Sequence, residues 1–450
     1  MRRVGPSILA DQGDSGRMKS SSAKQLASIL LVALALRLAA GWAWQARLDT
    51  RFVFGDSESF WALAHAIARA EPYQYGDARV FRSPGYPLLL APIFFLAGEE
   101  PSVMWARAES ALFGTLAVAG VWWLGRQLFG ARAGLVAASI AAVYPGAIAM
   151  GVLVLSEAPF CPLMLLHLIL WTAAWNAGSS RRAAILSGCA GLVGGAATLV
   201  RPSWLLFTPF AVAVGLASGN RTRHLGIGAL MLAGLLVAMT PWWVRNASVT
   251  GHFVPTTLQV GVSLYDGLNP EATGASNMAL VDRESARFAE SQQGRTAGTA
   301  AKPWSPADAV NDPFEYRLDR HLRAKSLAWV RSHPGRAFGL TWIKAARLWN
   351  FWPNEALFSA WHIRLAVLFT YLPVMVFAAI GVWKTIPRGW PYVLCWLPAV
   401  YATLLHVVFV SSIRYRQPAM LTLIVLAAGA ITWRAGEGER NSGSVGFVSL

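Results

Sequence analysis

Residues 26–44 read LASILLVALALRLAAGWAW, and Arg37 is the single charge in the run. A hydrocarbon core of about 30 Å is crossed by roughly 20 apolar helical residues, so this run predicts a membrane span. Comparable runs follow at 103–125, 133–154, 157–176, 183–200, 203–218, 225–244, 364–383, 391–410 and 416–433. The expected fold class is an all-α polytopic membrane protein with about ten transmembrane helices. Composition agrees: of 450 residues, 55% are hydrophobic and 14% charged, and mean hydropathy is +0.42. Soluble domains carry about 25% charged residues, which excludes a soluble enzyme. Low charge with high apolarity also excludes a disordered chain. Lys+Arg number 39 and Asp+Glu 23, a net charge of +16. In so apolar a chain this excess fits topology and contact with lipid phosphates, not nucleic acid. Cys161, Cys189 and Cys395 lie in apolar runs without metal or redox spacing, so they are expected as small core residues.

Arg2, Arg3, Arg17, Lys19 and Lys24 precede the first span. This tail is long for a signal peptide and no small-residue cleavage site follows, which predicts a retained anchor. With tail 1–25 in the cytoplasm, segments 126–132, 177–182, 219–224 and 384–390 and the tail 434–450 also fall inside. Each carries Arg or Lys, as the positive-inside rule asks. Parity requires the short apolar stretch 86–98, flanked by Pro87 and Pro92, to stay on the outer side as a juxtamembrane or re-entrant piece. The resulting plan has transmembrane helices over 26–244 with a first outer loop at 45–102, an extracytoplasmic region at 245–363 and transmembrane helices over 364–433. Both outer regions are expected to carry juxtamembrane helices. No internal repeat is visible, which argues against a transporter built from two halves.

In the first outer loop, Phe54-Gly55-Asp56-Ser57-Glu58-Ser59-Phe60-Trp61 opens a predicted amphipathic helix lying in the interface. Asp56 stands at its start, where an N-cap is one role and a general base at the membrane surface another. Glu58 is either a second carboxylate of the site or a solvated helix residue. Arg82-Ser83-Pro84-Gly85-Tyr86-Pro87 follows, a tight turn that leads Arg82 back to the membrane plane. There its planar fork can clamp a lipid phosphate, or the side chain can simply snorkel. Arg201, Arg245, Arg414 and Arg416 also fall at predicted outer ends of spans. In 245–363, residues 245–310 read as loops and short elements, with 291–301 flexible. A helix capped by Asp312, with Pro313 first and Glu315 in a capping box, runs to about Ser332. A second helix near 336–351 carries Lys344 and Arg347, which are expected to reach headgroups.

Gly55-Asp56, Pro72-Tyr73 and Arg82-x-Pro84-Gly85-Tyr86-Pro87 resemble the first external loop of C-type membrane glycosyltransferases. The branch is the one holding protein O-mannosyltransferases and the lipid A aminoarabinose transferase. Tyr144-Pro145 with Leu155-Ser156-Glu157-Ala158-Pro159-Phe160, Thr240-Pro241-Trp242-Trp243-Val244-Arg245-Asn246, Gly251-His252-Phe253-Val254-Pro255, Gly267-Leu268-Asn269-Pro270 and Arg414-Tyr415-Arg416-x-Pro418 continue the likeness. The resemblance implies a polyprenyl-phosphate-linked sugar as donor and transfer outside the cytoplasm. It puts a catalytic acid at Asp56, with Glu58 one residue further than the adjacent second acid of some relatives. Arg82, Arg201, Arg245, Arg414 and Arg416 are the candidates for the donor phosphate.

The chemistry suits these residue types. A sugar on a lipid phosphate already has a good leaving group, so what helps is positive charge at the departing phosphate and a base for the acceptor hydroxyl. The expectation is an inverting transferase using Asp56 as base. Its partners are membrane lipid, the lipid-linked sugar and an acceptor that is protein, lipid or polysaccharide. A bacterial inner membrane, with the site on the periplasmic face, fits the short loops. No metal-ligand spacing is present, and dependence on a divalent metal stays open. Phosphate-loop and zinc-protease motifs are absent. The alternative is a multi-pass transporter or lipid flippase, kept alive by Arg37, Arg107, Glu109 and His167 inside or near spans.

Overall fold

The computed structural model describes residues 8–297, 312–353 and 360–433. Over these residues the chain is a multi-pass, nearly all-helical membrane protein; the expected tail 434–450 lies outside them. In chain order the helices are α1 (Ile8–Gln45), α2 (Gly55–Ala68), α3 (Gly85–Ala97), α4 (Met104–Phe129), α5 (Ala131–Val143), α6 (Pro145–Met150), α7 (Glu157–Trp175), α8 (Ser180–Val200), α9 (Phe207–Ala217), α10 (Arg221–Thr250), α11 (Val260–Gly267), α12 (Met278–Ala297), α13 (Phe314–Ser332), α14 (Pro334–Leu348), α15 (Trp361–Thr385), α16 (Val393–His406) and α17 (Ile413–Thr432). Among the described residues, α1 from Ser22, α4, α7, α8, α10 and α15 are each long and apolar enough to cross a membrane. Shorter apolar helices, α3, α5, α9 with the turn before it, and α16, fill in between them.

One of the ten apolar runs is broken by proline. The run 133–154 divides at Tyr144-Pro145 into α5 and α6, because Pro145 has no N–H for the carbonyl of Ala141. Arg37 supplies the missing donors: its guanidinium donates to the carbonyls of Ala141 at 3.2 Å and Ala142 at 3.1 Å. The intramembrane charge that kept a transporter in view is thus tied to a helix break. Arg107 is tied likewise, donating to Gln45 Oε1 and to the Val152 carbonyl. His167 accepts from the Trp204 indole. Helices α8 and α10 meet along small residues. A Cβ at Gly191 would lie 2.1 Å from the Met231 carbonyl oxygen, so only glycine permits this approach.

The outer elements depart from expectation in four places. First, α2 is not a helix lying on the surface: Phe60, Trp61, Leu63 and Ala64 are buried in the main core and α3 packs against them. Second, the 245–310 segment contains a full helix, α12, whose polar composition hid its periodicity; of the stretch expected to be flexible, 291–297 end this helix and 298–301 lie outside the described residues. Third, Pro313, not Asp312, precedes α13; Asp312 pairs with His252 at 2.5 Å, and Glu315 accepts from the Val80 amide instead of closing a capping box. Fourth, Lys344 of α14 does not reach outward to headgroups. Leu340, Lys344 and Leu348 face the protein, with Lys344 fully buried, while Phe338 and Trp342 are exposed. Of the cysteines, Cys161 and Cys395 are buried as expected, and Cys189 is exposed on α8.

Candidate functional site

Asp56 does not cap α2. The cap position is Phe54, and Asp56 stands in the first turn, where the helix dipole favours a negative charge. Its side chain is therefore free to reach outward. Arg82 meets it at 2.6 Å on Oδ1, and Arg414 at 3.2 Å on Oδ2. Arg82 also donates through Nε to Ser59 Oγ at 3.0 Å.

Local structure explains why Arg82 arrives there. The Tyr73 hydroxyl donates to the carbonyls of Arg82 and Ser83, fixing the turn. Gly85 then seats the start of α3 on the last turn of α8: a Cβ at this position would lie 2.6 Å from the backbone of Leu199 and Val200. Any side chain at Gly85 would push the Arg82 turn off its seat. On the other wall, Ser412 caps α17 by accepting from the Arg414 amide, so Arg414 leaves the first turn of that helix.

The centre of the cluster is a residue that sequence reasoning quoted only within a motif. Glu157, at the start of α7, is fully buried. Its carboxylate accepts from Arg414 Nε at 2.5 Å and NH2 at 3.3 Å, and from Arg201 NH1 at 3.1 Å. Arg201 also donates to Ser156 Oγ. The available signal was a lone acid opening an apolar run, since such an acid must be paired. Three guanidiniums and two carboxylates (Arg82, Arg201, Arg414; Asp56, Glu157) leave one net positive charge in the cluster.

Other candidates lie elsewhere. Glu58 is exposed and takes no part in the cluster. Arg245 donates to the carbonyls of Arg79 and Tyr73, both at 2.8 Å, pinning the first outer loop to α10. Arg416 is fully buried, donates to the carbonyls of Leu348 and Asn350, and lies over the Tyr371 ring at 3.9 Å. These last two arginines hold backbone, in the way a helix end needs donors for its orphan carbonyls.

Burial pushes the Asp56 carboxyl up, but Arg82 and Arg414 outweigh it and hold it below the ordinary carboxylate value. It is therefore ionised at neutral pH. Its side chain keeps 37% exposure, against 22% for Arg82 and 18% for Arg414, and all three line one cavity of about 2170 Å³. That exceeds the roughly 300–1,000 Å³ of a small-molecule pocket. Its lining includes the apolar Trp44 of α1, Ile148 of α6, and Ile363 and Val367 of α15, and the polar Gln259, Ser263, Asp266, Ser276, Asp282 and Ser285. Among the described residues no group of three or more His, Cys, Asp or Glu could hold a metal ion.

Residues 82–244 match the family model described as dolichyl-phosphate-mannose-protein mannosyltransferase. The matched stretch begins at Arg82 and includes Glu157 and Arg201, whereas Asp56 and Arg414 lie beyond it. In fold the chain is similar to the archaeal oligosaccharyltransferase AglB from Archaeoglobus fulgidus, solved in complex with an inhibitory peptide and a dolichol-phosphate. The TM-score is 0.54 at 15% identity, covering 92% of this chain and 50% of that one. The oligosaccharyltransferase of the same organism tethered with an acceptor peptide containing the NVT sequon gives 0.54 at 12% identity, over 91% and 49%. ArnT from Cupriavidus metallidurans bound to undecaprenyl phosphate gives 0.44 at 16% identity, over 90% and 77%. The chain thus spans about half the length of the oligosaccharyltransferase chains it resembles. No curated protein matches it in sequence. The resemblance is borne out by sequence over 82–244, where the mannosyltransferase family model matches, and most of the chain shares the fold of the oligosaccharyltransferase.

Proposed function

We propose that this chain is a membrane glycosyltransferase that moves a sugar from a polyprenyl-phosphate donor to an acceptor hydroxyl on the extracytoplasmic side of a bacterial inner membrane. The observation that carries this reading is the Asp56 carboxylate held by Arg82 and Arg414 on the wall of one large cavity. Its apolar lining from α1, α6 and α15 suits an isoprenoid tail. The arginines suit a phosphate, and the polar lining suits a sugar with its acceptor. A dolichol-phosphate accompanies AglB, and the family model over 82–244 names a dolichyl-phosphate sugar. Both support a lipid-linked donor here.

The geometry suggests how charge is handled. In the free protein, both oxygens of Asp56 are engaged by guanidiniums, and an acid so held is a weak base. A donor phosphate entering the cavity competes for Arg82 and Arg414. As they turn to it, the Asp56 carboxylate loses its opposing charges and becomes more basic as the acceptor arrives. Asp56 takes the proton of the acceptor hydroxyl, and the oxygen attacks the anomeric carbon. The bond from that carbon to the phosphate oxygen breaks with inversion, and the electron pair leaves on the lipid phosphate, where the guanidiniums stabilise it. Glu157 keeps Arg414 in reach throughout. In this reading the acceptor is a protein, a lipid or a polysaccharide. The outer loop 45–102 and the region 245–363 lie on the periplasmic side, the spans 26–244 and 364–433 flank them, and 1–25 and 434–450 are cytoplasmic.

The test is incubation of the purified protein with a panel of polyprenyl-phosphate sugars, scoring free polyprenyl phosphate and glycosylated acceptor. Release dependent on acceptor, and lost in Asp56→Asn, supports the reading. A protein that moves lipid across proteoliposomes and transfers no sugar overturns it.

A further inference from the structure

α14 buries a lysine where its pattern calls for an aliphatic residue. Leu340, Lys344 and Leu348 form the stripe that faces the protein, and all three are almost fully buried. Among the described residues no carboxylate lies within salt-bridge range of this ammonium, and an apolar residue of similar volume would avoid its desolvation, so the fold alone does not call for an ammonium here. Its surroundings do. Lys344 Nζ donates to the Val408 carbonyl at 2.7 Å. Val408 belongs to the loop 407–412, which joins α16 to α17 and sets the direction in which Arg414 leaves. Two further bonds grip the same loop: Ser411 N donates to the Gly274 carbonyl at 3.0 Å, and Arg347 Nε to the Ser411 carbonyl at 3.5 Å. The end of α11 is pressed into the same place. A Cβ at Gly267 would lie 3.2 Å from Lys344 Nζ and 3.0 Å from the Phe409 carbonyl carbon. The neighbouring Asp266 is on the cavity wall and accepts from Ser276 Oγ and the Asn277 amide, both at 2.6 Å.

We propose that Lys344 is a positioning residue of the transfer reaction, clamping the loop that presents Arg414 to Asp56 onto the outer wall of the cavity. This rests on the transferase reading above. The wall formed by Asp266 and Ser276 and the guanidinium that faces the leaving phosphate thereby move as one body, so a ligand seated on that wall biases Arg414 towards its working place. Burial pushes the ammonium down to about 8, partly opposed by Asp266. Around it, the loop 407–412 brings no titratable side chain. Arg416 of α17 is turned to the Leu348 and Asn350 carbonyls, His406 of α16 to Val410, and His333, between α13 and α14, stacks on Trp329. Asp266 is thus the carboxylate opposing it.

The experiment compares wild type, Lys344→Met and Lys344→Arg in sugar transfer, thermal unfolding and hydrogen exchange. Lys344→Met is expected to unfold cooperatively at a temperature somewhat below wild type, since the Val408 carbonyl loses its donor, to lose about 10–100-fold in kcat and to keep donor KM within about twofold. Amides of 407–414 exchange faster in it, whether or not the chain transfers sugar, so the clamp and the transferase reading fail separately. Wild-type kcat falls as pH rises through about 8, and in Lys344→Arg, which stays charged, that fall is absent. Wild-type kcat with unchanged exchange in Lys344→Met overturns the proposal. If Lys344→Met does not fold, Lys344→Arg decides: an alkaline limb identical to wild type overturns it, and a flat one supports it.

Discussion

The guanidinium of Arg414 lies 3.2 Å from the carboxylate of Asp56, although 358 positions separate them in the chain. The same guanidinium grips Glu157 through two nitrogens. Arg414 therefore closes the cluster from α17, and the start of α2, the start of α7 and the start of α17 meet at one atom group. Each link in this bridge makes a distinct prediction.

Asp56→Asn keeps the shape of the side chain and removes its charge. It is expected to lower transfer about 10²–10⁴-fold while expression and unfolding temperature stay near wild type. Turnover close to wild type in a steady-state assay would remove Asp56 from the base role.

Glu157→Gln leaves Arg201 and Arg414 buried beside a neutral amide. Breaking a buried pair on one side costs about 3–5 kcal/mol, so this variant should unfold well below wild type in detergent and lose transfer as Arg414 drifts. A variant as stable as wild type would mean that water, not Glu157, satisfies these arginines.

Arg82→Lys retains charge but not the planar fork that spans Asp56 and Ser59. A charge-assisted hydrogen bond contributes about 1.5–3 kcal/mol, so affinity for polyprenyl phosphate should fall about 10–100-fold. Competition of the bare lipid phosphate against donor reads this directly.

Arg416→Met separates the two arginines of the Arg-Tyr-Arg motif. It leaves the Leu348 and Asn350 carbonyls without their donor, a loss of about 1–3 kcal/mol for a buried acceptor, with donor KM unchanged. A selective rise in KM would move Arg416 into the phosphate site.

The acid side of the pH profile follows from Asp56. Its pKa in the folded chain is depressed, so its pairs contribute stability at neutral pH. That contribution is lost only as pH falls through the folded value, which lies below the ordinary carboxylate value. Activity should hold steady on acidification through the ordinary carboxylate range and drop only below it, with the fall in unfolding temperature smaller in Asp56→Asn than in wild type.

Much of this was legible in the sequence, for identifiable reasons. Apolar runs long enough to cross a bilayer announce themselves by length, and all ten coincide with helices, one of them broken where Pro145 interrupts the backbone. Asp56, Arg82 and Arg414 were legible because charge beside an apolar span has few uses. Glu157 was not singled out, since its role depends on partners 44 and 257 positions away, and no local pattern encodes that. Arg245 and Arg416 were over-read for the same reason: an arginine at a span end looks alike whether it faces phosphate or a carbonyl. Helix α12 was missed because its polar composition gives little contrast between faces, and Lys344 of α14 was placed outward because a lysine on a buried stripe breaks the pattern that marks such a stripe.

The position of Arg414 also orders assembly of the cluster. Spans enter the bilayer in order of synthesis, and the guanidinium that completes the bridge belongs to α17, which is made after the segments carrying Asp56, Arg82 and Glu157. A nascent chain stalled after α16 would hold those three side chains without the arginine that joins the two carboxylates.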